Sequence, residues 1–449
     1  MDDRKVVCWI CEGLGPMAIW LKYCGTAGKP SSKRRKQSQP VVSEETGLLD
    51  SKKSNKGKFI NILMRPSMQL KNIEYKQYEG DKREWTVEPA SFGQINLLVG
   101  KNASGKTRIL NVMAGLARIL AGKQQVLFDS GDFKATLVTP KGKSFVYEVS
   151  MQNNLVNREY LSCGDNQYLT REGSGPGKIK TEPKGEMVDF QIKPNQLAIF
   201  FKRDSLQYPF LEEIAAWAEG TEHYEFATLF GPKSIGSPGM LISMDQIKDS
   251  EKPLSRDFKH REMLQLLVAA AINKFSDTFK KSILADMNQV GYDLEDMGVG
   301  VLSDIKMIPP PIGIWVKERD LQCNTEQNQM SLGMFRALSA VIRMNLPEFT
   351  NAPSAVFLDD VGEGLDFERS VGLIKTLIEK AEKGGFQLFM TTNDRFVMNE
   401  VPLKYWTVII RMGSLVKVKN YENSRDEFNK FEKLGLNNFD YFVANSSRK

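Results

Sequence analysis

The residues of this chain whose types and spacing bear most directly on chemistry are Gly100-Lys101-Asn102-Ala103-Ser104-Gly105-Lys106-Thr107. Two glycines frame the stretch and a Lys-Thr pair closes it, which is the GxxxxGK[ST] spacing of a phosphate-holding loop. Gly100 and Gly105 let the backbone turn its N–H groups inward, with Asn102 and Ser104 between them. A helix opening at Lys106 adds the positive end of its dipole, so the loop favours an anionic triphosphate. Lys106 is expected to reach the β- and γ-phosphates, and the Thr107 hydroxyl to ligate Mg²⁺. An eight-residue pattern can arise by chance, but its flanks agree. Ile95, Leu97, Leu98 and Val99 read as a buried strand, and Ile109, Val112, Met113, Leu116, Ile119 and Leu120 follow at helical spacing. ATP and Mg²⁺ are the expected ligands.

A second acidic site lies far along the chain. Ser354-Ala355-Val356-Phe357-Leu358-Asp359-Asp360 is an apolar run ending in acid, as expected of a buried parallel strand that delivers a carboxylate to a metal at its C-terminal edge. Asp359 is the metal-side residue in this reading. Between the two motifs, Ser331-Leu332-Gly333-Met334-Phe335-Arg336 opens a helix continued by Ala337, Leu338, Val341 and Ile342. A Ser and a Gly at a helix start make another anion-favouring N-terminus.

The order of phosphate loop, Ser-x-Gly helix start, apolar strand with Asp359-Asp360, then Gly364-Leu365-Asp366 resembles the ABC-type ATPase head. That group includes RecF, the SMC proteins and the OLD-like ATPases of bacterial immunity. The resemblance is to its short AAA-family members without a coiled coil, and it covers residues 59–232 and 312 to about 420. It implies an α/β fold: a P-loop ABC-type ATPase head with a mostly parallel core sheet, an antiparallel β subdomain and a helical insertion. It also implies that Ser331 and Gly333 contact the γ-phosphate held by a second subunit, and that Gly364-Leu365-Asp366 links the two sites. The segment after 386–390, Thr391-Thr392-Asn393-Asp394, resembles the strand end that carries the switch residue. ATP would then join two heads into a homodimer or higher homo-oligomer, and hydrolysis would release them. Two residues depart from the pattern. Asp360 stands where the family usually has Glu, and Asn393 where it usually has His. A positioned base is worth about 10²–10⁴ in rate, so slow turnover is expected, with Glu363 as a substitute base. Leu332 replaces a small residue, and no glutamine loop is identified.

The elements that position these residues are embedded in 449 residues of ordinary globular composition, 41% hydrophobic, with a net charge of +6. The charge permits a nucleic-acid partner such as double-stranded DNA without requiring one. Five scattered cysteines fit a reducing compartment, so a cytoplasmic location is expected. Residues 1–57 read as a disordered or poorly ordered extension with two basic runs. Its apolar stretch 6–24 is interrupted by Glu12, Pro16 and Lys22, so no membrane association is expected. Cys8, Cys11 and Cys24 lack a clear fourth zinc ligand. Residues 58–232 should form the N-terminal lobe. A strand at 59–63, another at 85–87, and short strands at 126–128, 135–138 and 145–149 are expected, then an exposed loop at 162–186, a strand-like run at 197–201 and a helix at 210–219. Residues 233–311 should form the helical insertion, turn-rich to 253 and then one long helix or two shorter ones over 257–289. Residues 312–420 should form the C-terminal lobe, and 421–449 a docking tail.

No sustained heptads separate Thr107 from Ser331, and little chain follows Lys419, so neither long arms nor an appended nuclease domain is expected. An effector, for example a nuclease, would be a separate protein. The function expected is a nucleotide-driven oligomerisation switch in anti-phage defence or DNA repair. The alternatives are the nucleotide-binding subunit of a transporter and a non-hydrolysing, ATP-held scaffold.

Overall fold

The computed structural model describes residues 68–124, 128–173, 175–182, 184–225, 254, 263–306, 311–350 and 353–446. The expectations for residues 1–57, 59–63, 126–127 and 231–253 lie outside them. The described residues all belong to one compact unit, Asn61–Lys449.

The chain begins with β1 (Gln69–Gln77), β2 (Trp85–Ser91) and β3 (Ile95–Val99), and passes through the phosphate loop into α1 (Lys106–Leu120). Six strands follow: β4 (Ser130–Val138), β5 (Ser144–Gln152), β6 (Leu155–Cys163), β7 (Asn166–Glu172), β8 (Gly177–Lys180) and β9 (Met187–Phe190). Next come α2 (Ala198–Phe201), α3 (Pro209–Glu219), β10 (Thr221–Glu225), α4 (Leu264–Val290), β11 (Leu294–Val301), β12 (Ile312–Glu318) and β13 (Thr325–Glu326). The remainder is α5 (Leu332–Phe349), β14 (Ala355–Asp359), α6 (Phe367–Gly384), β15 (Gln387–Thr391), α7 (Arg395–Glu400), β16 (Trp406–Met412), β17 (Leu415–Asn420), α8 (Arg425–Glu432) and α9 (Asn438–Ser446).

One sheet of 14 strands runs in the order β10-β14-β15-β3-β16-β17-β2-β1-β4-β5-β6-β7-β8-β9. Its first five strands are parallel throughout. Strands β3, β14 and β15 are buried along their whole length, as a sheet covered on both faces must be. Successive side chains point to opposite layers. Leu98, Phe357 and Phe389 join the core beneath α1 and α3, while Leu97, Val99, Leu358 and Met390 join the core shared with α4, α5 and α6. From β1 to β9 the sheet is an antiparallel meander, the β subdomain, hydrogen-bonded without a break to the parallel core through the β17–β2 pair.

The structure differs from expectation in two places and adds detail in two others. Much of 162–186 is strand rather than loop, because Leu169, Arg171 and Ile179 point inward while its Gly, Lys and Ser residues cover a solvated face. Residues 198–201 form a helical turn, not a strand. The Glu159 carboxylate accepts the N–H groups of Ala198 (2.7 Å) and Ile199 (3.0 Å) and so caps that turn, a contact that periodicity in a five-residue run cannot reveal. The long helix α4 breaks at Ser276 (φ 50°, ψ −138°), and α4 packs on α5 and α6 within the core; β11 pairs with β12 across residue 311. The tail is anchored: Phe428, Phe431 and Tyr441 of α8 and α9 are buried with Trp406.

Candidate functional site

The phosphate loop leaves the buried end of β3 and turns sharply. A Cβ on Gly100 would lie 2.5 Å from Ser104 Oγ and 2.9 Å from the Ile409 carbonyl, so the fold has no room there for any side chain. Gly105 caps α1 at φ 101°, where a side chain would strain the backbone. Lys106 is buried, and its ammonium donates to the carbonyls of Gly100 (2.9 Å) and Lys101 (3.4 Å). Burial pushes its pKa down, opposed by the carboxylates of Asp360 and Asp359. Asn102 is exposed at the crown of the loop.

The two distant halves meet at Asp359. Its Oδ1 accepts from Thr107 Oγ1 at 3.2 Å and from Thr391 Oγ1 at 2.5 Å. Strand order explains the meeting, since β14 and β15 lie directly beside β3 in parallel register and end at the same edge. Thr391 also accepts the Asp360 N–H at 2.8 Å, holding that residue in a left-handed conformation (φ 53°). Asn393 Nδ2 donates to Asp360 Oδ1 at 3.1 Å. Burial raises the Asp360 pKa, reinforced by Asp359 and Glu363 and opposed by Lys106. The Glu363 side chain is 56% exposed and lies 3.9 Å from Arg336.

Ser331 and Gly333 sit elsewhere in the arrangement. Ser331 caps α5, its hydroxyl accepting from Met334 N at 3.2 Å. Gly333 is seated on the loop at 362–366: a Cβ there would lie 2.6 Å from the Gly364 carbonyl. One turn further, Arg336 donates to the Glu363 carbonyl at 2.9 Å. The helix start and the loop after Asp360 are therefore one packed unit.

The residues fit a Mg²⁺-nucleotide. Ser104 Oγ is buried and has no hydrogen-bond partner, an orphan that a phosphate oxygen would satisfy. Thr107 and Asp359 offer the oxygen donors that a hard cation prefers. Sequence reading missed the wall of the loop supplied by β16: Ile409 closes on Gly100, and Arg411 Nη1 donates to the Ala103 carbonyl at 3.2 Å. No motif marks these residues, which lie some 300 positions away.

No protein-family model matches the chain, and no curated protein matches it. Among solved structures, the chain is similar to SMC head domains. These include an SMC head bound to the C-terminal winged-helix domain of ScpA (11% identity over 78% of this chain and 97% of that one, TM-score 0.45). A second is the head with an extended coiled coil bound to the C-terminal domain of ScpA from Pyrococcus furiosus (11%, 82% and 100%, TM-score 0.45). A third is the SMC head domain from Thermotoga maritima (12%, 78% and 98%, TM-score 0.36).

Proposed function

We propose that this chain binds and slowly hydrolyses ATP, and that a second copy of the chain completes each nucleotide site, so that ATP joins two heads and hydrolysis releases them. The observation that supports this reading is the 3.2 Å contact between Thr107 and Asp359, 252 residues apart, two oxygen-bearing side chains that meet near the buried Lys106. Lys106 and the loop amides would hold the phosphates; Thr107 and Asp359 would hold Mg²⁺, which neutralises phosphate charge. Asp360, with its raised pKa and its carboxylate oriented by Asn393, serves as the proton acceptor. Glu363 is the second carboxylate within electrostatic reach of that position.

Ser331 is exposed at the start of α5, and Gly333 beneath it is fixed to the loop at 362–366. A partner's terminal phosphate arriving at that helix start would be felt by the loop after Asp360, which couples the two sites. The work of the pair is done through a separate effector protein, such as a nuclease, in DNA-linked defence or repair, a reading that follows the motif resemblance. A nucleotide-held scaffold that does not hydrolyse is the second reading, favoured because the Asn393 amide already occupies Asp360 Oδ1.

The test is phosphate release per subunit as protein concentration is raised, with and without double-stranded DNA. Release that climbs with concentration supports a shared site, and a DNA effect supports defence or repair. Flat, near-zero release with ATP bound supports the scaffold. Failure to bind ATP at all removes both readings.

A further inference from the structure

Two guanidinium groups flank the phosphate loop on the side away from the carboxylates. Arg411 lies near the end of β16, a strand that pairs with β3 and then overruns it. Its Nε donates to the Gly413 carbonyl at 2.9 Å and its Nη1 to the Ala103 carbonyl at 3.2 Å. Arg108, in the first turn of α1, lies over the Trp85 ring at 4.1 Å, with Nη2 on Gln77 Oε1 at 2.9 Å. Both side chains are exposed, and neither forms an ion pair among the described residues. Both flank the same loop, Arg411 through the Ala103 carbonyl and Arg108 from the turn that follows Gly105. Like charges held together without a counter-charge favour an anion between them.

Sheet order says which anion. Along the edge of the sheet the sequence is β14, β15, β3, β16, with the loop rising from β3. Strands are spaced by about 4.8 Å, so Asp359 is two strands to one side of the loop and Arg411 one strand to the other. Trp85 and Gln77, which hold Arg108, belong to β2 and β1, also on the β16 side. A triphosphate laid along this edge with its terminal phosphate at Asp359 and Asp360 would run its ribose end toward the guanidiniums. We propose that Arg108 and Arg411 form a clamp on the phosphate nearest the ribose, fixing the direction in which the nucleotide lies. This rests on the nucleotide-binding reading above.

The test is equilibrium binding of ATP and ADP to wild type, Arg108→Ala, Arg411→Ala and Arg411→Lys, with thermal melting in the absence of nucleotide as the check on folding. Each alanine variant should weaken ATP and ADP alike, by roughly tenfold, as expected for a lost charge-assisted contact. Arg411→Lys should recover part of the loss. A loss confined to ATP would put the guanidiniums at the terminal phosphate and overturn the clamp. So would unchanged affinity in Arg108→Ala, since Arg411 would then act only through Ala103. A wild type that binds nucleotide beside indifferent arginine variants removes the clamp and leaves the nucleotide site standing. A wild type that binds neither nucleotide removes both.

Discussion

Lys106 is held by two backbone carbonyls in a loop that has no room for a side chain at Gly100. Lys106→Ala removes the one buried cation of the loop while leaving its glycine geometry intact. ATP affinity should fall roughly tenfold to a hundredfold, the value of a charged hydrogen bond; titration giving wild-type affinity would mean the loop does not hold phosphate. Asp360 carries a different kind of constraint. Its pKa is raised in the folded state, so the fold takes up a proton there more readily than the unfolded chain does. The associated stability is present at low pH and is lost as pH rises through the raised value, leaving ionised Asp360 a destabilising group at neutral pH. Asp360→Asn removes that charge and tolerates φ 53°. The variant should melt higher without nucleotide, by roughly 1–2 °C, and lose roughly 10²–10⁴ in hydrolysis. Hydrolysis by wild type should fall as pH drops through the Asp360 pKa, because the protonated carboxyl cannot accept a proton. Lys106, Thr107 and Asp359 were legible in the sequence because each belongs to a short local pattern: Lys106 and Thr107 open the helix that follows an apolar strand and a glycine-framed loop, and Asp359 ends an apolar strand. Arg411 and Ile409 were not, since only the pairing of β16 with β3 brings them to the loop.

Among the elements, α5 and the loop at 362–366 are packed together, since Gly333 lies against the backbone of that loop and Arg336 donates to it. A bulky cation at the exposed cap position should therefore leave the chain's own phosphate loop untouched while blocking an approaching partner. Ser331→Arg should keep ATP affinity within about twofold but lose ATP-dependent assembly in sedimentation; normal assembly would show that the cap faces no partner. The break in α4 lies at Ser276, whose φ and ψ suit glycine alone. Ser276→Gly should raise the denaturant midpoint, by about 1 kcal/mol of stability. A lower midpoint would show that the serine side chain holds the break. Apolar spacing announced helix over this stretch but could not locate the break, since Ser276 resembles any solvent-facing helical residue in sequence. Strands β7 and β8 of the β subdomain were hidden for the opposite reason: one of their faces is solvated, and its Gly and Lys residues read as loop.

At the scale of the whole molecule, the β subdomain and the edge that carries the phosphate loop share one sheet, and the β subdomain is pinned internally by a buried ion pair. Glu159 and Arg171 are both fully buried, 3.5 Å apart, and Tyr147 donates to the same carboxylate. Arg171→Met leaves Glu159 without its cation and should destabilise the protein by about 3–5 kcal/mol, read by denaturant unfolding. A near-neutral effect would mean that Glu159 is protonated in the fold, as burial alone would favour. The same sheet has a bearing on how the chain is made. Strands β2 and β3 are neighbours in sequence, yet in the sheet β16 and β17 lie between them. Until residues 406–420 leave the ribosome, both strands present an open edge, each a row of unpaired backbone groups ready to pair with another chain. The newborn protein must therefore keep its phosphate-loop strand from sticking to its neighbours through most of its own synthesis, and it becomes safe only when one late hairpin slides into the gap.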